Sequence, residues 1–96
     1  MDSSLQIDQD DFKKTVNKKR ILVVDDDGSV RVTIKSLLED VGFYSVQTAQ
    51  GGEAAIKLLK QQTFDLLVTD YNMPKMNGLE LFKKCRVISS KLPVLF

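Results

Sequence analysis

From Ile21 onward the chain alternates between two hydrophobic periods. "ILVV" (21–24) is a short continuous apolar run, the pattern of a strand covered on both faces. In "GSVRVTIKSLLEDVG" (28–42), Val30, Ile34, Leu37, Leu38 and Val41 fall on one stripe of a helix, and Gly42 stands where a glycine cap would end it. "FYSVQTA" (43–49) is rich in β-branched and aromatic residues and predicts a second strand. "GEAAIKLLKQQ" (52–62) predicts a short helix with Ala55, Leu58, Leu59 and Gln62 along one side. "FDLLVT" (64–69) is a third strand and the most apolar. "GLELFKKCRVIS" (78–89) predicts a helix burying Leu81, Phe82, Cys85 and Ile88, and "LPVLF" (92–96) opens a fourth strand.

Strict alternation of strands and helices implies βαβ units around a parallel sheet. Right-handed crossovers and short loops restrict the topology to a few open-sheet arrangements. Residues 1–17, "MDSSLQIDQDDFKKTVN", are polar and acidic and are expected to form a flexible tail, leaving 18–96 as one domain. The basic step "NKKR" (17–20) is expected to be a solvated strand flank.

Composition narrows the chemistry. A net charge of +1 gives no basic surface for nucleic acid or membrane. No apolar run approaches the roughly 20 residues of a membrane span, and the N-terminus lacks the apolar segment of a signal peptide; a cytoplasmic location is expected. The single cysteine, Cys85, lies in an apolar pattern and is expected to be a buried thiol in a reducing compartment. The chain has no histidine, which removes histidine-based metal sites and both Ser-His-Asp and Cys-His catalysis.

What remains is carboxylate chemistry. In a parallel sheet all carboxyl ends share one edge, so Asp25 and Asp26, after the first strand, and Asp70, after the third, converge if those strands are neighbours about 4.8 Å apart. The carboxyl edge, where strand order reverses, is where open α/β sheets place ligands. Two unit charges 4 Å apart repel by about 4 kcal/mol at an effective dielectric of ~20, so the cluster demands a cation or a proton. Oxygen ligands alone favour a hard divalent ion, with Mg²⁺ the natural choice because it binds through one or two carboxylates plus phosphate oxygens. A carboxylate so placed can attack a phosphoryl donor. Taken singly, each aspartate is as well explained by capping, and Asp27 before "GSV" is expected to be a helix N-cap. "DDDG" lacks the alternate spacing of an EF-hand, and neither a GxGxxG nor a P-loop motif is present.

"ILVVDDDGSVR", "LLVTDYNMPKMNGLELF" and "LPVLF" together resemble the receiver domain of bacterial two-component response regulators, over Arg20 to Phe96. The resemblance implies a flavodoxin-like open parallel sheet, here incomplete: about four strands and three helices in order 2-1-3-4, lacking the last helix–strand–helix. It implies that Asp70 accepts a phosphoryl group from a phosphohistidine on a sensor histidine kinase or phosphotransfer protein. Asp26 would bind Mg²⁺ directly, Asp25 largely through water, and Asn72 through its backbone carbonyl. Pro74 and Gly78 would shape the following turn, and Met73 and Met76 would pack the loop. A receiver of this kind is no conventional enzyme, though it catalyses its own phosphorylation and dephosphorylation.

The family pattern continues past "LPVLF" to a Ser or Thr and a Lys that contact the phosphoryl oxygens. A sheet ending here would leave an apolar edge and an uncovered face. A weakly stable monomer, or a homo-oligomer covering that face, is the expectation; light scattering and calorimetry showing a highly stable monomer would contradict it. Competing readings are a non-phosphorylated interaction module, a fragment of a longer regulator, and a Mg²⁺-dependent phosphatase. The last is disfavoured because Asn72 stands where such enzymes carry the second aspartate of D-x-D.

Overall fold

The two apolar runs that follow "NKKR" and "QQT" form the centre of the sheet. In the computed structural model, which describes residues 17–96, strand β1 (Lys19–Val24) lies between β2 (Tyr44–Ala49) and β3 (Leu66–Thr69), and β4 (Val94–Leu95) pairs on the far side of β3. The strand order is therefore 2-1-3-4 and every pairing is parallel. Three helices connect the strands: α1 (Gly28–Asp40), α2 (Gly52–Gln61) and α3 (Gly78–Ile88). This is the four-strand, three-helix flavodoxin-like arrangement expected. The expected flexible tail lies, apart from Asn17, outside the described residues.

All four residues of "ILVV" are buried, because successive side chains enter opposite layers. Leu22 and Val24 join the larger core with Leu67, Ala55, Leu59, Leu81, Cys85 and both loop methionines, Met73 and Met76. Ile21 and Val23 face the other way, with Val46, against Ile34 and Leu38 of α1.

Three expectations need correction. The stripe on α1 is only half used: Ile34 and Leu38 pack on the sheet, whereas Leu37 and Val41 are 64% and 52% exposed, and no residue of the helix is fully buried. The helix packs chiefly on β2 and, less extensively, on β1. Second, β3 begins at Leu66, not Phe64: the Asp65 N–H still donates to the Arg20 carbonyl of β1 at 2.7 Å, but the Arg20 N–H is taken at 2.7 Å by the Asp65 carboxylate and not by a backbone carbonyl. Third, Arg20 is no solvated flank. It belongs to β1, lies 5.2 Å from the Phe64 ring centroid and donates to Gln62, which ends α2 as its C-cap.

Gly42 does close α1, with φ of 89° just after the C-cap Val41 and its N–H on the Glu39 carbonyl at 3.0 Å. The exposed edge of β2 is also guarded. Lys35 donates to the Val46 carbonyl at 3.1 Å and Glu39 accepts from the Val46 N–H at 3.4 Å, so α1 side chains occupy groups that could template another strand.

Cys85 is fully buried, and burial pushes its thiol above the ordinary range. At pH 8.5 the folded protein is expected to react with a disulfide-exchange reagent at least tenfold more slowly than in denaturant; equal rates would contradict this burial. In the same core, Leu67→Ala is expected to lower stability by about 2–5 kcal/mol in chemical denaturation.

Candidate functional site

The strands deliver their acids through backbone hydrogen bonds. Val24 and Thr69 are partners in the β1–β3 register, and the Asp70 N–H continues the ladder by donating to the Val24 carbonyl at 3.0 Å. On the other side the Asp25 N–H donates to the Ala49 carbonyl at 3.2 Å. Asp25 and Asp70 therefore leave adjacent strands at the same level. One carboxylate oxygen from each of Asp25, Asp26 and Asp70 lies within 4.8 Å of the others, with Asp25 and Asp70 half-buried and Asp26 exposed.

Asp27 is drawn out of this group. Its carboxylate accepts from the Ser29 N–H at 2.9 Å and the Ser29 hydroxyl at 2.7 Å, and these bonds hold its carboxyl below the usual carboxylate range. It is the N-cap of α1, as its position before "GSV" implied. The Asp27 N–H in turn donates to Asp25 Oδ1 at 2.9 Å, and Arg31 donates to the Asp25 carbonyl at 2.6 Å. The acidic turn is thus braced from within and from the first helix. The Arg31 brace was invisible in the sequence, because it depends on a side chain folding back from the first turn of α1.

The loop from Tyr71 to Asn77 closes over the edge. The Gly78 N–H donates to the Tyr71 carbonyl at 2.8 Å, and Asn77 caps α3 by accepting from the Glu80 N–H at 2.9 Å. A side chain at position 78 would have its Cβ 2.8 Å from the Asp70 carbonyl oxygen and 2.9 Å from the Tyr71 Cα, so only glycine lets the loop return this close. Asn72 is exposed within this loop, two residues past Asp70. Beside Asp26 a cavity of about 360 Å³ opens between Gln50–Ala54 at the start of α2 and Pro74–Met76 of the loop.

Three carboxylates and no imidazole or thiolate form an oxygen-only donor set that fits a hard divalent cation such as Mg²⁺. Two features thus define the class: an open parallel α/β sheet, and an acidic hollow where its first and third strands end. Residues 21–96 match the profile of the response regulator receiver domain. The chain is 45% identical to the Vibrio cholerae chemotaxis protein CheY-3 over 78 residues, covering 79% of this chain and 60% of that protein. Among solved structures, V. cholerae chemotaxis protein CheY4 superposes with a TM-score of 0.77 at 34% identity, over 80% of this chain and 65% of that one. The response regulator TrrA from Thermotoga maritima, solved in complex with Mg²⁺-BeF, superposes with a TM-score of 0.74 at 37% identity, over 79% of this chain and 65% of that one. The chain belongs to the response regulator receiver domain family. It spans about 60% of the length of the CheY-3 relative.

Clustered charge predicts a sign. Removing one charge from the group relieves repulsion of about 1 kcal/mol per pair in a water-like dielectric. Asp26→Asn is expected to raise the melting midpoint in EDTA by about 4 °C or more and to remove most of the stabilisation that Mg²⁺ gives the wild type. Differential scanning calorimetry with and without the ion tests both halves.

Proposed function

We propose that the chain is a phospho-accepting receiver module of a two-component phosphorelay, with Asp70 as the acceptor. One observation carries this reading: three carboxylates from two neighbouring strands meet within 4.8 Å at the carboxyl edge of the sheet, in a chain without histidine. Family membership and the Mg²⁺-BeF complex of TrrA support it.

Asp70 is half-buried and its backbone is fixed by the Val24 carbonyl, so its carboxylate meets a donor with little reorganisation. Its Oδ attacks the phosphorus of a phosphohistidine on a sensor kinase or phosphotransfer protein. An O–P bond forms, the P–N bond breaks, and the electron pair stays on the imidazole nitrogen, which takes up a proton from solvent. Asp25, Asp26, Asp70 and the Asn72 carbonyl are the groups that would hold Mg²⁺. A bound Mg²⁺ supplies charge compensation and orientation for the phosphoryl oxygens during in-line transfer. Asp26, being exposed, keeps the hollow open to solvent and to a donor.

Treatment with a small acyl phosphate and Mg²⁺ is expected to add one phosphoryl mass, which hydroxylamine removes. Asp70→Asn should show no gain, and omitting Mg²⁺ should suppress it at least tenfold. Intact-mass spectrometry reads all three. An unchanged wild-type mass together with retained kinase binding would replace this reading with that of a non-phosphorylated interaction module.

A further inference from the structure

The third strand places Asp70, but the loop that follows must be placed by something else, and the contact that does so lies on the far wall of the cavity. Met76 is buried and reaches the first residue of α2, Gly52, which is itself buried. A Cβ built at Gly52 would lie 2.9 Å from both Cβ and Cγ of Met76 and closer still to its sulfur. Real Cβ atoms do not come this near, so the loop and the helix start meet only because position 52 has no side chain. The neighbouring Gly51 has nothing within 4 Å of its own Cβ position. The two adjacent glycines are therefore not equivalent.

The loop is also held in a conformation it would not choose alone. Lys75, immediately before Met76, has φ of 70°, in the left-handed region that a lysine rarely occupies. The Met76 N–H donates to the Pro74 carbonyl at 2.8 Å, closing a tight turn around that residue. Met73 is buried in the same core as Met76. Two methionine anchors and the Gly78–Tyr71 hydrogen bond thus constrain a seven-residue loop whose second residue is Asn72.

We infer that Gly52 and Met76 are positioning residues for the metal site: their close packing sets the height of the loop, and with it the Asn72 carbonyl, above the carboxylates of Asp25, Asp26 and Asp70. This rests on the reading of the acidic hollow as a Mg²⁺ site. A side chain at position 52 pushes Met76 and the loop away from α2, and the carbonyl moves out of reach of an ion held by the strands. Neither residue touches the ion, so the effect is transmitted through the backbone of five consecutive residues, from Asn72 to Met76.

Mg²⁺ affinity measured by isothermal titration calorimetry on the full chain tests this. Gly52→Ala is expected to weaken Mg²⁺ binding about tenfold, while Gly51→Ala leaves it within about twofold. The discriminating measurement is a double-mutant cycle. In a Met76→Ala background the sulfur and Cγ contacts are gone and only the 2.9 Å approach to the residue-76 Cβ remains, so Gly52→Ala should cost clearly less there, about threefold instead of tenfold. Thermal melts alongside separate the effect from general destabilisation, since an alanine that merely weakened the fold would lower the melting midpoint without changing the affinity of the folded fraction. If Gly52→Ala does not fold, Met76→Leu tests the same contact: branching at Cγ beside Gly52 should weaken Mg²⁺ binding severalfold with the fold retained. Equal tenfold losses in both backgrounds, or unchanged affinity in Gly52→Ala or Met76→Leu, would overturn the inference. Absence of Mg²⁺ binding by the wild type would instead overturn the metal-site reading itself.

Discussion

Everything at the acidic edge depends on the parallel pairing of β1 with β3. Asp26 and Asp70 are 44 residues apart in the chain, yet a single ladder, ending in the Asp70 N–H on the Val24 carbonyl, brings their strand ends level. The pairing has little freedom to slip. A shift of one residue would turn Leu67 and Thr69 out of the α2–α3 layer and bring Leu66 and Val68 into it. Since Leu67 has no exposed surface, the hydrophobic core itself enforces the register that gathers the carboxylates. The repulsion among the acids is thereby opposed by apolar burial at a distance from the charges, with the Arg31 guanidinium held at the Asp25 carbonyl beside them.

That division of labour explains how burial is distributed. All four apolar residues of β1 are sealed on both faces, and this is the strand that carries two of the three acids. The α1 layer is much looser, and the two outer strands differ sharply. Side chains from α1 occupy the Val46 peptide groups on the β2 edge. At the β4 edge Leu95 and Phe96 are each 57% exposed, and Phe96 rests against Tyr71 and Phe82 at ring-centroid distances of 6.1 and 6.3 Å. Tyr71 follows Asp70 directly, so this aromatic contact connects the β4 edge to the loop that follows Asp70.

Much of this was legible in the chain because two signals agreed. The continuous apolar run "ILVV" read as a doubly covered strand, the strict alternation with helical stripes made the others strands too, and the glycines at 42 and 78 marked helix boundaries for reasons that hold in the structure. The convergence of Asp25, Asp26 and Asp70 followed from the polarity of parallel strands once β1 and β3 were neighbours, an adjacency that the family resemblance implied. What was not legible depends on tertiary contacts between segments distant in sequence. The start of β3 was misjudged because the Asp65 side chain pairs with the Arg20 backbone. Leu37 and Val41 fit the helical stripe of α1, but periodicity cannot tell which part of a stripe meets a neighbour. The unequal roles of Gly51 and Gly52 were hidden for the same reason, since both look like generic helix-start glycines until Met76 is seen against one of them.

The site therefore combines two kinds of support with different mechanical character. The carboxylates stand on strands whose backbone positions are fixed by hydrogen bonds on both sides, and strands of this kind tolerate little displacement without loss of register. The loop over them is anchored by methionines, whose unbranched and polarizable side chains accommodate small shifts at low energetic cost. On the proposed reading, in which an anionic phosphoryl group arrives at the hollow, this pairing of a rigid floor with a more compliant cover lets the acids keep their spacing while the loop adjusts. The left-handed turn at Lys75, closed by the Met76 N–H on the Pro74 carbonyl, lies outside the ladder that holds Asp70, so a change there leaves the strand hydrogen bonds intact.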